Sequence, residues 1–191
     1  MIDAVGPVRL DDSMIARVAI IGAGQAGRRF ALRCATAGFK VVLEDVMPAN
    51  LRRAQAEFTD LSGRGVRGSM EFALTVEDAV READLAIDFV PDELESKLEI
   101  FSMMDRMAPP KTILCTPSEA LSITDLASCT YRGEKCFATR GDLIGDSVRV
   151  PRPRDADASA FSAVEEFFRA LGVGVSGEID VDLPMLVKNL V

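Results

Sequence analysis

The 191-residue chain contains no histidine, no tryptophan and a single tyrosine, Tyr131. Histidine is the side chain that titrates nearest neutrality and the commonest protein ligand for transition metals. The usual acid–base group and the usual metal ligand are therefore both missing. Any proton transfer falls to a shifted carboxylate, a lysine, a thiol or Tyr131. The four cysteines, Cys34, Cys115, Cys129 and Cys136, form no C-x-x-C pair, so no metal site is expected. Cys34 and Cys115 fall in apolar runs, where reduced thiols of a cytoplasmic protein are the plain reading. Basic charge is scarce: 30 Asp and Glu oppose 22 Lys and Arg, a formal charge of −8. That balance argues against nucleic acid or an anionic membrane as the main partner. No apolar run approaches the roughly 20 residues of a membrane span, and the first residues show no basic-then-apolar secretion pattern.

One motif dominates what remains. Residues 18–21 are aliphatic and read as a buried parallel strand. They run directly into Gly22, Ala23, Gly24, Gln25, Ala26 and Gly27, with glycines at G-x-G-x-x-G spacing. Gly22 permits a tight turn, Gly24 lets a diphosphate approach the main chain, and Gly27 lets the next helix pack against the strand. The context fits: an amphipathic helix follows (Phe30, Leu32, Cys34), then a second strand over 40–43, then Asp45. A carboxylate there accepts from adenosine ribose hydroxyls and repels the extra phosphate of NADP, with Glu44 adding to the repulsion, so NAD is the expected cofactor. Arg52 and Arg53 on the following helix read equally as solvated surface charges.

Strands alternate with helices along the rest of the chain. Strands are expected over 72–75, 84–90, 112–115, 135–138 and 173–175. A helix should follow Pro48. Another should cover 76–82, with Thr75 as N-cap and Asp78 completing a capping box. Further helices are expected over 91–107 opened by Pro91, from Ser122 to 126, over 155–171 ended by Gly172, and over 183–191. Residues 61–68 and 150–154 read as turns, the second exposed. The expectation is an α/β fold, a single Rossmann-type domain with a doubly wound parallel sheet over 16–180. A flexible leader would cover 1–15, and the start of a terminal helix 181–191.

The order of segments resembles the NAD-binding domain of the 3-hydroxyacyl-CoA dehydrogenase family from about Arg17 onward. The resemblance is carried by V-A-I-I-G-A-G-Q-A-G, V-V-L-E-D-V-M-P-A-N-L-R-R-A, E-A-D-L-A-I-D-F-V-P-D-E-L-E-S-K, M-A-P-P-K-T-I-L-C-T-P-S-E-A-L-S-I-T-D-L-A and D-L-P-M-L-V-K-N-L. It implies that the glycine loop and Asp45 hold the ADP half of NAD, and that Asp92 and Lys97 lie near the nicotinamide ribose. An ordinary helix-start acid and a solvated lysine are the competing readings of those two. The resemblance also implies fatty acid metabolism and a small-molecule or acyl-CoA substrate. Where the family reads S-N-T-S-S-L-S-I this chain has C-T-P-S-E-A-L-S-I, so Glu119 replaces a substrate-contacting serine. The family's catalytic histidine falls at or near Arg140, the glutamate that orients it near Arg149, and an asparagine near Leu143. Arginine cannot accept a hydroxyl proton. A Glu119–Arg140 ion pair is expected to fill the vacated pocket. The family's helical hairpin that clasps coenzyme A is reduced to residues 48–69, and its C-terminal helical domain is missing. Two expectations follow for the apolar residues of 183–191: the chain is a fragment of a longer protein, or they bury themselves against a second copy as a homodimer.

Overall fold

The computed structural model describes residues 15–63 and 65–176. The leader expected over 1–15 lies outside them except for Ile15. The helix expected within 181–191, and the dimer contact assigned to it, lie outside them entirely.

Six parallel strands form the main sheet: β1 (Arg17–Ile21), β2 (Lys40–Glu44), β3 (Ser69–Ala73), β4 (Leu85–Asp88), β5 (Ile113–Pro117) and β6 (Cys136–Thr139). The helices are α1 (Gln25–Ala37), α2 (Pro48–Ser62), α3 (Val76–Val80), α4 (Leu94–Met107), α5 (Ile123–Ala127) and α6 (Ala158–Ala170). Successive strand residues point to opposite faces, and both faces here are apolar, so each must be covered. Helices α1, α2 and α6 bury Val18, Ile20, Leu43, Ile87, Cys115 and Phe137. Helices α3, α4 and α5 bury Ala19, Ile21, Val42, Ala86, Leu114 and Ala138. The spatial order is β3-β2-β1-β4-β5-β6. The chain builds outward from β1 to β3, then returns to place β4 on the other side of β1. Loops leaving β1 and β4 therefore diverge, and a crevice opens at their carboxyl ends.

Several boundaries depart from the sequence expectation, each for a local reason. Helix α2 runs on to Ser62, taking the first residues of the expected turn. Strand β3 covers 69–73, not 72–75, because Gly68 is pressed under the preceding turn. A Cβ there would lie 2.1 Å from the Phe39 carbonyl oxygen, and pairing with β2 starts at the next residue, Ser69 opposite Lys40. Helix α4 starts at Leu94, not Pro91. Glu93 donates its N–H to the Pro91 carbonyl (2.8 Å), which keeps Pro91 and Asp92 in a turn. Lys135 belongs to a 3-10 turn, Gly133–Lys135, that precedes β6. Helix α6 is capped by Asp157, whose carboxylate accepts from the Ala160 N–H (2.8 Å), so Asp155 lies outside it.

The expected exposed turn at 150–154 is only partly exposed: Val150 and Pro151 are buried. The preceding residues form β7 (Ser147–Arg149), parallel to β8 (Gly174–Ser176). A three-residue strand is too short to display alternation. Thr75 and Ser122 cap their helices as expected, accepting from the Asp78 and Asp125 amides.

Candidate functional site

The glycine loop leaves β1 into the crevice. Gly22 has φ of 100°, open to glycine at little strain, and its N–H donates to the Glu44 carbonyl (2.9 Å). A Cβ on Gly27 would stand 1.9 Å from the Gly22 carbonyl oxygen, so that position fixes how closely α1 meets β1. Around Gly24 a Cβ would meet nothing within 4 Å. The first helical bond runs from the Arg28 N–H to the Gly24 carbonyl (3.0 Å), which leaves the amides of Gln25, Ala26 and Gly27 without helical partners. No side chain caps α1 and no acid lies in its first turn. Uncapped amides, the positive end of a helix and open space at Gly24 are what a diphosphate requires, so the residues fit the ADP half of a dinucleotide. Beneath the loop, buried Arg28 donates to the Ala23 carbonyl (3.0 Å) and meets Glu57 at 3.3 Å. Sequence reasoning missed this arginine, because position 28 has no meaning until α2 brings Glu57 to it.

Asp45 follows β2 and lies against the glycine loop. Its carboxylate accepts from the amides of Ala23 (2.8 Å) and Met47 (2.7 Å) and from the Asn50 side chain (3.0 Å). A carboxylate offers about four lone-pair sites, so roughly one stays open for a ribose hydroxyl, and a second hydroxyl must displace one of these donors. Arg52 and Arg53 are exposed on α2.

Glu44 is buried beside Asp45. Burial, with the Asp45 charge second, pushes its carboxyl from 4.5 up to about 7. A carboxyl that holds its proton more tightly folded than unfolded contributes stability that is complete below pH 4.5 and lost as pH rises through 7. Glu44→Gln should raise the melting temperature at about pH 8 and leave it nearly unchanged at about pH 4. Thermal melts by circular dichroism test this, and an equal shift at both pH values would contradict it.

Lys97 is no solvated lysine. It is 1% exposed, and its Nζ donates to Asp88 Oδ1 (2.7 Å) and to the Pro117 carbonyl (3.0 Å). Burial pushes the Asp88 carboxyl up, although Lys97 opposes that shift. Among the described residues, Asp88 Oδ2 and Thr116 Oγ1 are buried without hydrogen-bond partners. The next residues, Phe89 and Pro117, line a cleft of about 210 Å³ with Ala26, Phe30, Leu143 and Ile144. Asp92 sits on the turn before α4, where its carboxylate accepts from the Glu119 amide (3.3 Å) and links the loops after β4 and β5.

The structure brings Glu119, Arg140 and Arg149 together. Arg140 and Arg149 bridge antiparallel, exchanging main-chain bonds of 2.8 and 2.9 Å. Glu119 meets Arg149 at 3.5 Å and accepts from the Gly141 amide. The Arg140 guanidinium donates to the carbonyls of Ser118 (2.9 Å) and Leu121 (3.2 Å). The ion pair expected between Glu119 and Arg140 is thus drawn with Arg149, because the bridge sets that side chain beside the loop after β5. Two other proton carriers drop out. Tyr131 is 96% exposed before the amino end of β6, on the opposite rim of the sheet. Burial pushes the Cys34, Cys115 and Cys136 thiols up, so none is a ready nucleophile at neutral pH.

Comparison with known proteins agrees with this geometry. The family model described as 3-hydroxyacyl-CoA dehydrogenase, NAD binding domain, matches residues 17–140. A 3-hydroxybutyryl-CoA dehydrogenase of Bradyrhizobium diazoefficiens is 29% identical over 93% of this chain and 65% of its own length. A 5-formyl-3-hydroxy-2-methylpyridine 4-carboxylate 5-dehydrogenase of Mesorhizobium japonicum is 33% identical over 93% of this chain and 62% of its own. A solved diketoreductase superposes with a TM-score of 0.79 at 26% identity, covering 92% of this chain and 68% of that one. The chain spans less than two thirds of the length of these curated relatives. Among the described residues, no helix is long and apolar enough to cross a membrane.

Proposed function

The chain belongs to the 3-hydroxyacyl-CoA dehydrogenase family through its NAD-binding domain, and from that premise we propose that it binds NAD(H) without running the family's acid–base oxidation by itself. The observation that carries this reading is the absence of histidine from the whole chain, with Arg140 and Arg149 where the resemblance puts the histidine and its orienting glutamate. Guanidinium groups stay protonated and have no lone pair to offer a hydroxyl proton. The chain then serves as a redox-linked binding module of the cytoplasm, with NAD(H) as its ligand and a second copy as a candidate partner.

A second reading, an active NAD-dependent oxidoreductase, is favoured by the cleft. The named relatives are dehydrogenases, one of them acting on a pyridine carboxylate that carries no coenzyme A. In this reading the substrate is a 3-hydroxyacyl-CoA or another small hydroxy or keto acid, with Glu119 carrying the proton, since Lys97 is sealed from the cleft by its bonds to Asp88 and Pro117.

NADH titration separates the two, followed by nicotinamide fluorescence against a protein that has no tryptophan. Binding below millimolar, with no loss of NADH on adding acetoacetyl-CoA or any of a panel of small keto acids, is the expected result. Rapid NADH loss would establish the second reading, and no binding below millimolar would defeat both.

A further inference from the structure

We propose that Glu119 is an internal stand-in for a ligand's carboxylate, and that Arg149 and the Gly141 amide form a carboxylate-binding site on the rim of the cleft. The inference rests on the reading that a ligand shares this cleft with NAD(H), and it supplies the chemical class of that ligand.

Glu119 and Arg149 are 63% and 51% exposed, so burial does not force them together. The two oxygens of one carboxylate nonetheless go to two different donors. Oε1 accepts from the Gly141 N–H, and Oε2 faces Arg149 Nη2 at 3.5 Å. A main-chain amide and a guanidinium converging on one planar anion is a common way for proteins to hold a ligand carboxylate.

The main chain behind both donors is held without help from Glu119. Arg149 is bonded through its main chain to Arg140 in both directions, and the Arg140 guanidinium is tied to the Ser118 and Leu121 carbonyls. Gly141 holds φ of 101° in a loop that Arg33 pins by donating to the Gly145 carbonyl (2.9 Å). The acceptor is the weakly held part, since an exposed ion pair contributes little and is screened by salt. Gly141 also lines the cleft, so an anion bound there would extend its remainder along Pro117 and Leu143.

Two further acids stand close. Asp142 accepts from the Ile144 amide (3.0 Å), and Asp92 from the Glu119 amide (3.3 Å). Their charges disfavour a dianion such as phosphate and leave a monoanionic carboxylate as the fitting ligand.

The test uses the full chain, Glu119→Ala and the double variant Glu119→Ala/Arg149→Gln, with acetoacetate as probe and the neutral acetoacetamide as its control. Isothermal titration should show acetoacetate binding about two- to fivefold tighter to Glu119→Ala than to the parent. Loss of a competitor tethered at millimolar effective concentration accounts for that gain. Acetoacetamide should show no gain, and the double variant should lose it. Three results would overturn the site: equal acetoacetate affinity in parent and Glu119→Ala, a gain shared by the amide, or a gain that survives Arg149→Gln. NADH affinity of the same samples tests the cofactor reading separately, because its loss would leave the carboxylate result standing.

Discussion

Lys97→Met should lower folding stability by about 3–5 kcal/mol, the usual consequence of removing one member of a buried ion pair. The ammonium is enclosed between Asp88 Oδ1 and the Pro117 carbonyl, and neither Lys97 nor Asp88 reaches solvent. Without it, Asp88 holds an uncompensated charge beside an oxygen that already lacks a partner. At roughly 2–4 °C per kcal/mol for a domain of this size, the melting temperature should fall by about 10 °C. The loss should shrink as pH falls. Asp88 already holds its proton above the usual range through burial, and removing Lys97 raises it further, so protonation neutralises the orphan. A double variant, Asp88→Asn with Lys97→Met, should recover much of the loss, because a neutral pair replaces a broken ionic one. Urea unfolding of the three proteins at two pH values checks this. A Lys97→Met protein as stable as the parent would show that the pair is not the cross-link between α4, β4 and β5 described above.

The same pair shows where sequence reading stops. Strand β1, the glycine turn after it and the helix that follows were legible because local sequence carries their conformation. The layered sheet was legible because alternating apolar faces require two covers. Lys97 carried a usable sign. It lies three residues after Leu94 and four before Phe101, on the apolar face of α4, and Asp88 interrupts an otherwise apolar strand. A charge at each position requires a partner, and each supplies the other. Arg28 gave no such sign, since its meaning depends on Glu57, distant in sequence. The start of α4 was misread because proline suits a first helical turn, yet here the Glu93-to-Pro91 bond makes it a turn residue. The Arg140–Arg149 bridge depends on strand β7, too short to be seen. Glu119 was therefore assigned the right kind of partner but the wrong arginine.

The glycine loop offers the largest expected change in binding. Gly24→Val should abolish measurable NADH binding while leaving the fold intact. Gly24 has φ of −60° and ψ of −179°, which other residues adopt, and its would-be Cβ meets no protein atom within 4 Å. A side chain added there stands at the N-cap of α1, in the loop that leads into its uncapped amides. Each charge-assisted hydrogen bond lost there costs about 1.5–3 kcal/mol. Two of them weaken binding by roughly a hundredfold or more. Gly27→Ala gives the opposite pattern. Its Cβ would lie 1.9 Å from the Gly22 carbonyl oxygen, so α1 must move off β1, and melting temperature falls together with affinity. Paired fluorescence titrations and thermal melts distinguish the two positions. If Gly24→Val bound NADH as the parent does, the diphosphate could not lie against this loop. If Gly27→Ala melted with the parent, the contact between α1 and β1 would be looser than the structure shows.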